Sequence, residues 1–296
     1  MKKGHKQKSQ SFYALAFRRF KKNKLALWGV FVLLSLIASA IFAPLIAPYD
    51  PYMSVRNDKG MLDILSPPSS AHFLGTDSVG RDVASRLIYA GRVSLSVGVV
   101  AVSISIVIGT VLGSLAGFFG RWVDSVIMRG VDVVICFPVL FLIITISTLL
   151  KPSIYTTMIV IGLVSWTNTA RLVRGEILKV REFEFVESSR ALGARNGRII
   201  FRHILPNIMA PIVVQATLQT AQAILIEASL SFLGVGVQQP IPSWGNMLNE
   251  AMSLTILAFK PMIWFSPGIA IVITVLSINF IGDGLRDALD PKLGNN

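Results

Sequence analysis

Six long apolar runs dominate the pattern of this chain, at 25–47, 93–119, 126–150, 154–170, 208–233 and 263–281. Crossing the roughly 30 Å hydrocarbon layer of a bilayer takes about 20 apolar residues in a helix, and there the backbone must satisfy its own hydrogen bonds. The runs therefore predict an all-α polytopic membrane protein with six transmembrane helices. Polar segments separate them: a basic N-terminus at 1–24, a long loop at 48–92, a charged stretch after 170, a loop at 234–262 and a tail at 282–296.

The first run competes with a signal peptide, since Ala38-Ser39-Ala40 imitates a small-residue cleavage site. A signal core is only about 7 to 15 residues long, so 25–47 reads as an uncleaved first span, broken on leaving the membrane by Pro44, Pro48 and Pro51. In the loop at 48–92, Val83, Leu87 and Ala90 form an apolar stripe, with Asp82, Arg86 and Arg92 elsewhere around the helix. That pattern predicts an amphipathic segment lying on the bilayer surface. His72 has no second His or Cys nearby, and no metal site is assigned.

Inside the spans, Gly109, Gly113 and Gly117 make two consecutive small-xxx-small steps along one helix face, where another backbone can approach closely. The neighbour is either a helix of this chain, the commoner case, or a partner subunit. Pro138 is expected to kink the third span. Gln215, Gln219 and Gln222 recur at i, i+4 and i+7 on the fifth, with Glu227 about a turn further. Such groups face protein or water rather than lipid. They either line a translocation path or bond neighbouring helices, and the spacing leaves both open.

Composition agrees with a membrane location, at 53% hydrophobic and 15% charged residues against about a quarter charged in soluble domains. The net charge of +12 would suggest nucleic acid only if gathered on a soluble basic face. Instead 21 of the 28 Lys and Arg fall at 1–24, near the turn at 120–124, at 171–207 and in the tail. By the positive-inside rule these segments, and so both termini, are cytoplasmic. The lone Cys136 excludes an internal disulfide and reads as a core residue.

The most informative polar stretch is Arg181 to Asn207. Its first half predicts a short helix over 182–192, with Phe185, Ser189 and Leu192 on one face and Glu184, Glu187 and Arg190 turned outward. Gly193 closes it in the left-handed conformation. A second short helix from Arg198 to Leu205 is expected to stop at Pro206. The result is a compact elbow in water beside the membrane.

Glu187, Gly193, Ile204, Leu205 and Pro206 resemble, at the same spacing, the Glu-Ala-Ala, Gly, Leu-Pro cytoplasmic loop of bacterial ATP-binding-cassette importer permeases. Ser188 and Ser189 stand in place of the two alanines. Residues 72–98, HFLGTDSVGRDVASRLIYAGRVSLSVG, and 279–287, with Asp290-Pro291 after them, resemble the dipeptide and oligopeptide permeases of that family. The resemblance implies the MetI-like type I importer fold, with a permease core over 93–281 and a coupling loop over 181–206 docked in an ATPase subunit. Glu187, Ser188, Ser189, Ala191, Leu192, Gly193, Leu205 and Pro206 are then the coupling residues. It also implies a second homologous permease, two ATPase subunits carrying ATP and Mg, an extracytoplasmic peptide-binding protein and a multi-pass place in a bacterial cytoplasmic membrane.

The chain itself has no Gly-x-x-x-x-Gly-Lys-Ser/Thr phosphate loop, no His-Glu-x-x-His and no nucleophile elbow. No catalytic residue, bound cofactor, metal or nucleic-acid partner is expected. A metal-chelate importer of the same family is an alternative. An ion-driven secondary transporter is the rival from another class, but it would call for an inverted repeat and ionisable groups near mid-span, of which Glu227 is the only strong example.

Overall fold

The computed structural model describes residues 12–56, 60–151 and 153–289. It is helical almost throughout. In chain order the helices are α1 (Phe12–Phe20), α2 (Lys24–Ile41), α3 (Ala43–Ile46), α4 (Val83–Phe119), α5 (Arg121–Ile135), α6 (Val139–Leu149), α7 (Ile154–Val180), α8 (Glu184–Ala191), α9 (Asn196–Arg198), α10 (Met209–Phe232), α11 (Trp244–Leu248), α12 (Leu254–Phe259) and α13 (Pro261–Leu289). Residues before Phe12 and the Asp290-Pro291 pair lie outside the described residues.

Among the described residues, α2, α4, α10 and α13 are each long and apolar enough to cross a membrane. The pair α5 and α6 makes a fifth span if its two halves are counted together. They bend by 87°, a break rather than the kink expected at Pro138. Pro138 has no N–H to donate to the preceding turn, and a residue before proline avoids the helical region, so the helix ends at Ile135 and restarts at Val139. Cys136 sits in this break and is exposed rather than in the core.

Three other helix boundaries differ from the sequence pattern, each helix reaching past its apolar run. The segment over 83–92 is not a separate helix but forms the first turns of α4, capped by the Asp82 carboxylate accepting from Ser85 N–H at 2.7 Å. The fourth run continues to Val180, and α13 continues through the predicted tail to Leu289. There Gly282 and Gly284 are buried, Gly284 directly against Ala26 of α2.

The centre of the bundle is the pairing of α4 with α7. A Cβ on Gly109 would lie 2.5 Å from Thr169 Cβ, one on Gly113 2.6 Å from the Ala170 carbonyl, and one on Gly117 3.0 Å from the Arg174 carbonyl. The glycine stripe thus seats α4 on α7 of the same chain. Val97, Ala101, Ile143, Ile161 and Leu230 fill one core around this seam.

Candidate functional site

The cytoplasmic elbow grows directly out of this seam. α7 ends at Val180, and Arg181 donates to the Gly117 carbonyl at 3.0 Å, fixing the turn to the end of α4. α8 then runs from Glu184 to Ala191 and closes on Gly193 at φ +75°. Gly193 N–H bonds Arg190 O at 3.0 Å and Ala194 N–H bonds Ser189 O at 3.1 Å, the paired bonds of a Schellman closure. No atom lies within 4 Å of a Cβ built on Gly193, so its backbone conformation, not crowding, is what calls for glycine there.

The inward side of α8 is Val186, which is 0% exposed among Phe118, Val173, Ile177, Ile199 and Ile204. Phe185 and Leu192, on the stripe expected from the sequence, point away from this core. Leu192 is 88% exposed, and Phe183, whose ring meets that of Phe185, is exposed as well. Glu187, Ser188, Ala191 and Gly193 are exposed, and Ser189 is half-buried. A short apolar face flanked by charges is therefore held rigidly from behind and left open in front.

Pro206 does not stop the second helix of the elbow. Asn196–Arg198 passes into a π-helical turn over Ile199–Ile204 and a 3-10 turn over Leu205–Ile208, which leads into α10. Pro206 falls in the first positions of the 3-10 turn, where its missing N–H breaks nothing. Ile199, Ile204 and Ile208 are buried in the same core as Val186, Leu205 is half-buried and Pro206 exposed. The elbow is thus joined to both α7 and α10.

A cavity of about 670 Å³ opens beside α10, with Val139 and Leu140 of α6, Asn168 of α7, and Gln215 and Gln222 among its lining residues. Gln219 also reaches it but is buried and fully engaged. Its amide donates to Ser105 Oγ at 2.7 Å and the Ser165 carbonyl at 2.8 Å, and accepts from Thr169 Oγ1 at 3.1 Å. The three amides therefore divide, with Gln219 tying α10 to α4 and α7 while Gln215 and Gln222 face the cavity. Asp124 of α5 takes two N–H groups of Arg174, and Asp132 pairs with Arg171, so α5 is clamped to α7. Neither pairing is legible in the sequence, since the partners lie 39 and 50 residues apart.

Glu227 is not among the residues lining the cavity, a correction to its grouping with the path. It is 0% exposed and accepts from Ser94 Oγ at 3.0 Å and Ser231 Oγ at 2.8 Å. Those hydroxyls in turn accept from Trp244 N–H at 3.2 Å and Val237 N–H at 3.0 Å. The carboxyl thereby pins the loop after α10 onto α4.

The loop before α4 hides a second polar cluster that alternating polarity could not reveal. Asp77 binds Arg81 at 2.7 Å and Arg86 at 3.4 Å, all three buried, and His72 bonds Asp82 at 2.9 Å. Glu250 accepts from Ser78 N–H at 3.1 Å. Burial, and then the Asp77 charge, push the Glu250 carboxyl above its ordinary value.

Long helices apolar enough to cross a bilayer, packed into one bundle, define a polytopic membrane protein. The chain belongs to the binding-protein-dependent transport permeases. The description of that family's inner membrane component matches residues 109–295, and the N-terminal TM domain of oligopeptide transport permease C matches residues 11–68. Membership makes it a multi-pass inner-membrane component rather than a catalyst, and implies ATPase and binding-protein partners.

It is 45% identical to the dipeptide transport system permease protein DppC of Alkalihalophilus pseudofirmus, over 94% of this chain and 89% of that protein. It is 43% identical to the glutathione transport system permease protein GsiD of Pectobacterium atrosepticum, over 94% and 90%. It is 40% identical to the oligopeptide transport system permease protein OppC of Bacillus subtilis, over 97% and 92%. The fold is also that of a chain in the inward-facing MetNI methionine ABC transporter, at a TM-score of 0.57 and 18% identity, covering 69% of this chain and 96% of that one.

Proposed function

We propose that this chain is the peptide-conducting permease of an ATP-driven importer, with six spans and both termini cytoplasmic, α7 serving as the fourth span. It pairs with a second homologous permease, and two ATPase subunits carrying ATP and Mg dock on the elbow at 181–206. The observation that carries the reading is the apolar face of Phe185 and Leu192, open to solvent on a helix whose opposite side is locked into the core by Val186. A partner seated there moves α7 and α10 together, because the elbow is continuous with both.

ATP can shift the bundle between inward-open and outward-open states only by binding them differently, and docking on the elbow supplies that difference. Gln215 and Gln222 offer neutral amides to a peptide backbone, which suits a ligand of variable side chains. The dipeptide, oligopeptide and glutathione names of the relatives support a peptide substrate.

The test is purification of the chain from its native membrane in mild detergent, wild type beside Gly193→Asp, with uptake of labelled peptide measured in parallel. Co-purification of an ATPase and a second permease, with the ATPase released by the substitution and uptake lost, is the expected result. Wild type emerging alone, with uptake that collapses on dissipating the ion gradient while ATP persists, would overturn it in favour of a secondary transporter.

A further inference from the structure

On a face distinct from the polar cavity, α2, α4, α10 and α13 enclose a groove of about 900 Å³, lined by Ile37, Leu95, Val99, Ala216, Ile224 and Ile278 among others. Its few hydroxyls are turned back into their own helices: Ser96 donates to Val93 O, Thr217 to Val213 O and Thr220 to Ala216 O, each at 2.9 Å. The donors of these hydroxyls are therefore spent within their own helices, and the groove is otherwise apolar along its length.

At one end stands Arg92. Its Nε–H goes to the Ala40 carbonyl and one Nη2–H to the Ile41 carbonyl at 2.6 Å, where α2 ends. A guanidinium has five N–H donors, and the others meet no acceptor among the described residues. Arg92 is exposed, its guanidinium 5.2 Å from the centre of the Tyr89 ring, so an occupant apolar along the groove can present an acceptor, best an anion, to it at that one end.

We propose that this groove is a binding site for one membrane phospholipid, its acyl chains between α2, α4 and α10 and its phosphate on the free N–H groups of Arg92. With Arg92 at the outer end of α4 in the proposed topology, the lipid belongs to the outer leaflet. The site does not depend on peptide being the cargo. The occupant joins α2 to the three helices that surround it, so it acts as a packing element of the permease.

The experiment uses the whole permease complex, reconstituted in bilayers of phosphatidylglycerol mixed with phosphate-free galactosyl diacylglycerol. After extraction in mild detergent, native mass spectrometry counts the lipids that stay on this chain. Wild type and Arg92→Lys should keep a phosphatidylglycerol molecule. Arg92→Gln, which loses a charge-assisted bond to phosphate, should retain it roughly tenfold less well. Ala216→Trp should exclude it by filling the groove. Equal retention by Arg92→Gln and wild type, or galactolipid held as well as phosphatidylglycerol, overturns the proposal. So does a disulfide between Val99→Cys and a cysteine placed on a span of the partner permease, because a protein helix then fills the groove.

Discussion

Val186 is buried within α8 and Leu192, the residue that caps it, is exposed, so truncating each should affect a different property. Leu192 is 88% exposed, so Leu192→Ala removes almost no burial from the folded chain and should leave its unfolding temperature unchanged. If an ATPase subunit covers that face, the same change removes three carbons from a buried contact. At about 0.8 kcal/mol per methylene this is about 2 kcal/mol, or about thirtyfold in Kd. Val186 is 0% exposed, and Val186→Ala should lower the stability of the elbow by about 2 kcal/mol through lost contacts and a small cavity.

The assay is titration of the purified ATPase subunit onto detergent-solubilised permease, with a thermal unfolding scan on each variant. The expected pattern is a weakened Kd with unchanged Tm for Leu192→Ala, and a lowered Tm for Val186→Ala. A Leu192→Ala protein that binds as tightly as wild type, or that melts as early as Val186→Ala, would refute the reading of α8 as a docking helix.

Gly113→Leu should fail to seat α4 on α7, because its Cβ meets the Ala170 carbonyl at 2.6 Å; overpacking of this kind typically costs about 1–3 kcal/mol, readable as lower yield and Tm in detergent. Gln219→Leu should destabilise the bundle by about 1–3 kcal/mol through the unpaired polar groups it leaves, while Gln215→Ala with Gln222→Ala should lower peptide uptake at unchanged Tm. Unfolding and uptake measured on the same preparations separate the two. The raised pKa of Glu250 means that the folded chain holds this proton more tightly than the unfolded one. Stability should therefore fall as pH climbs from the ordinary carboxylate range through the raised value. Glu250→Gln should remove that slope in a pH series of unfolding temperatures, and an unchanged slope would show that the carboxyl does not carry it.

The chain's own order of apolar and polar residues determined that it is a helical membrane protein, where its apolar runs lie, and that an elbow interrupts them between the fourth and fifth. Those features rest on local rules: the length needed to cross hydrocarbon, the avoidance of helix by residues before proline, and the freedom of glycine at positive φ. Gly193 is the clearest case, because a Schellman closure needs only residues 189–194. What the tertiary structure decided is where each polar side chain finds its partner.

Gln219 and Gln215 are indistinguishable as sequence, yet one meets Ser105, Ser165 and Thr169 while the other faces a cavity. Arg86 follows the pattern of a surface residue but is buried against Asp77, nine positions earlier. Glu227 stands on the polar side of α10 and binds a serine 133 residues away. Burying such groups is tolerable only when hydrogen bonds replace water, and those bonds come from helices that folding alone brings together.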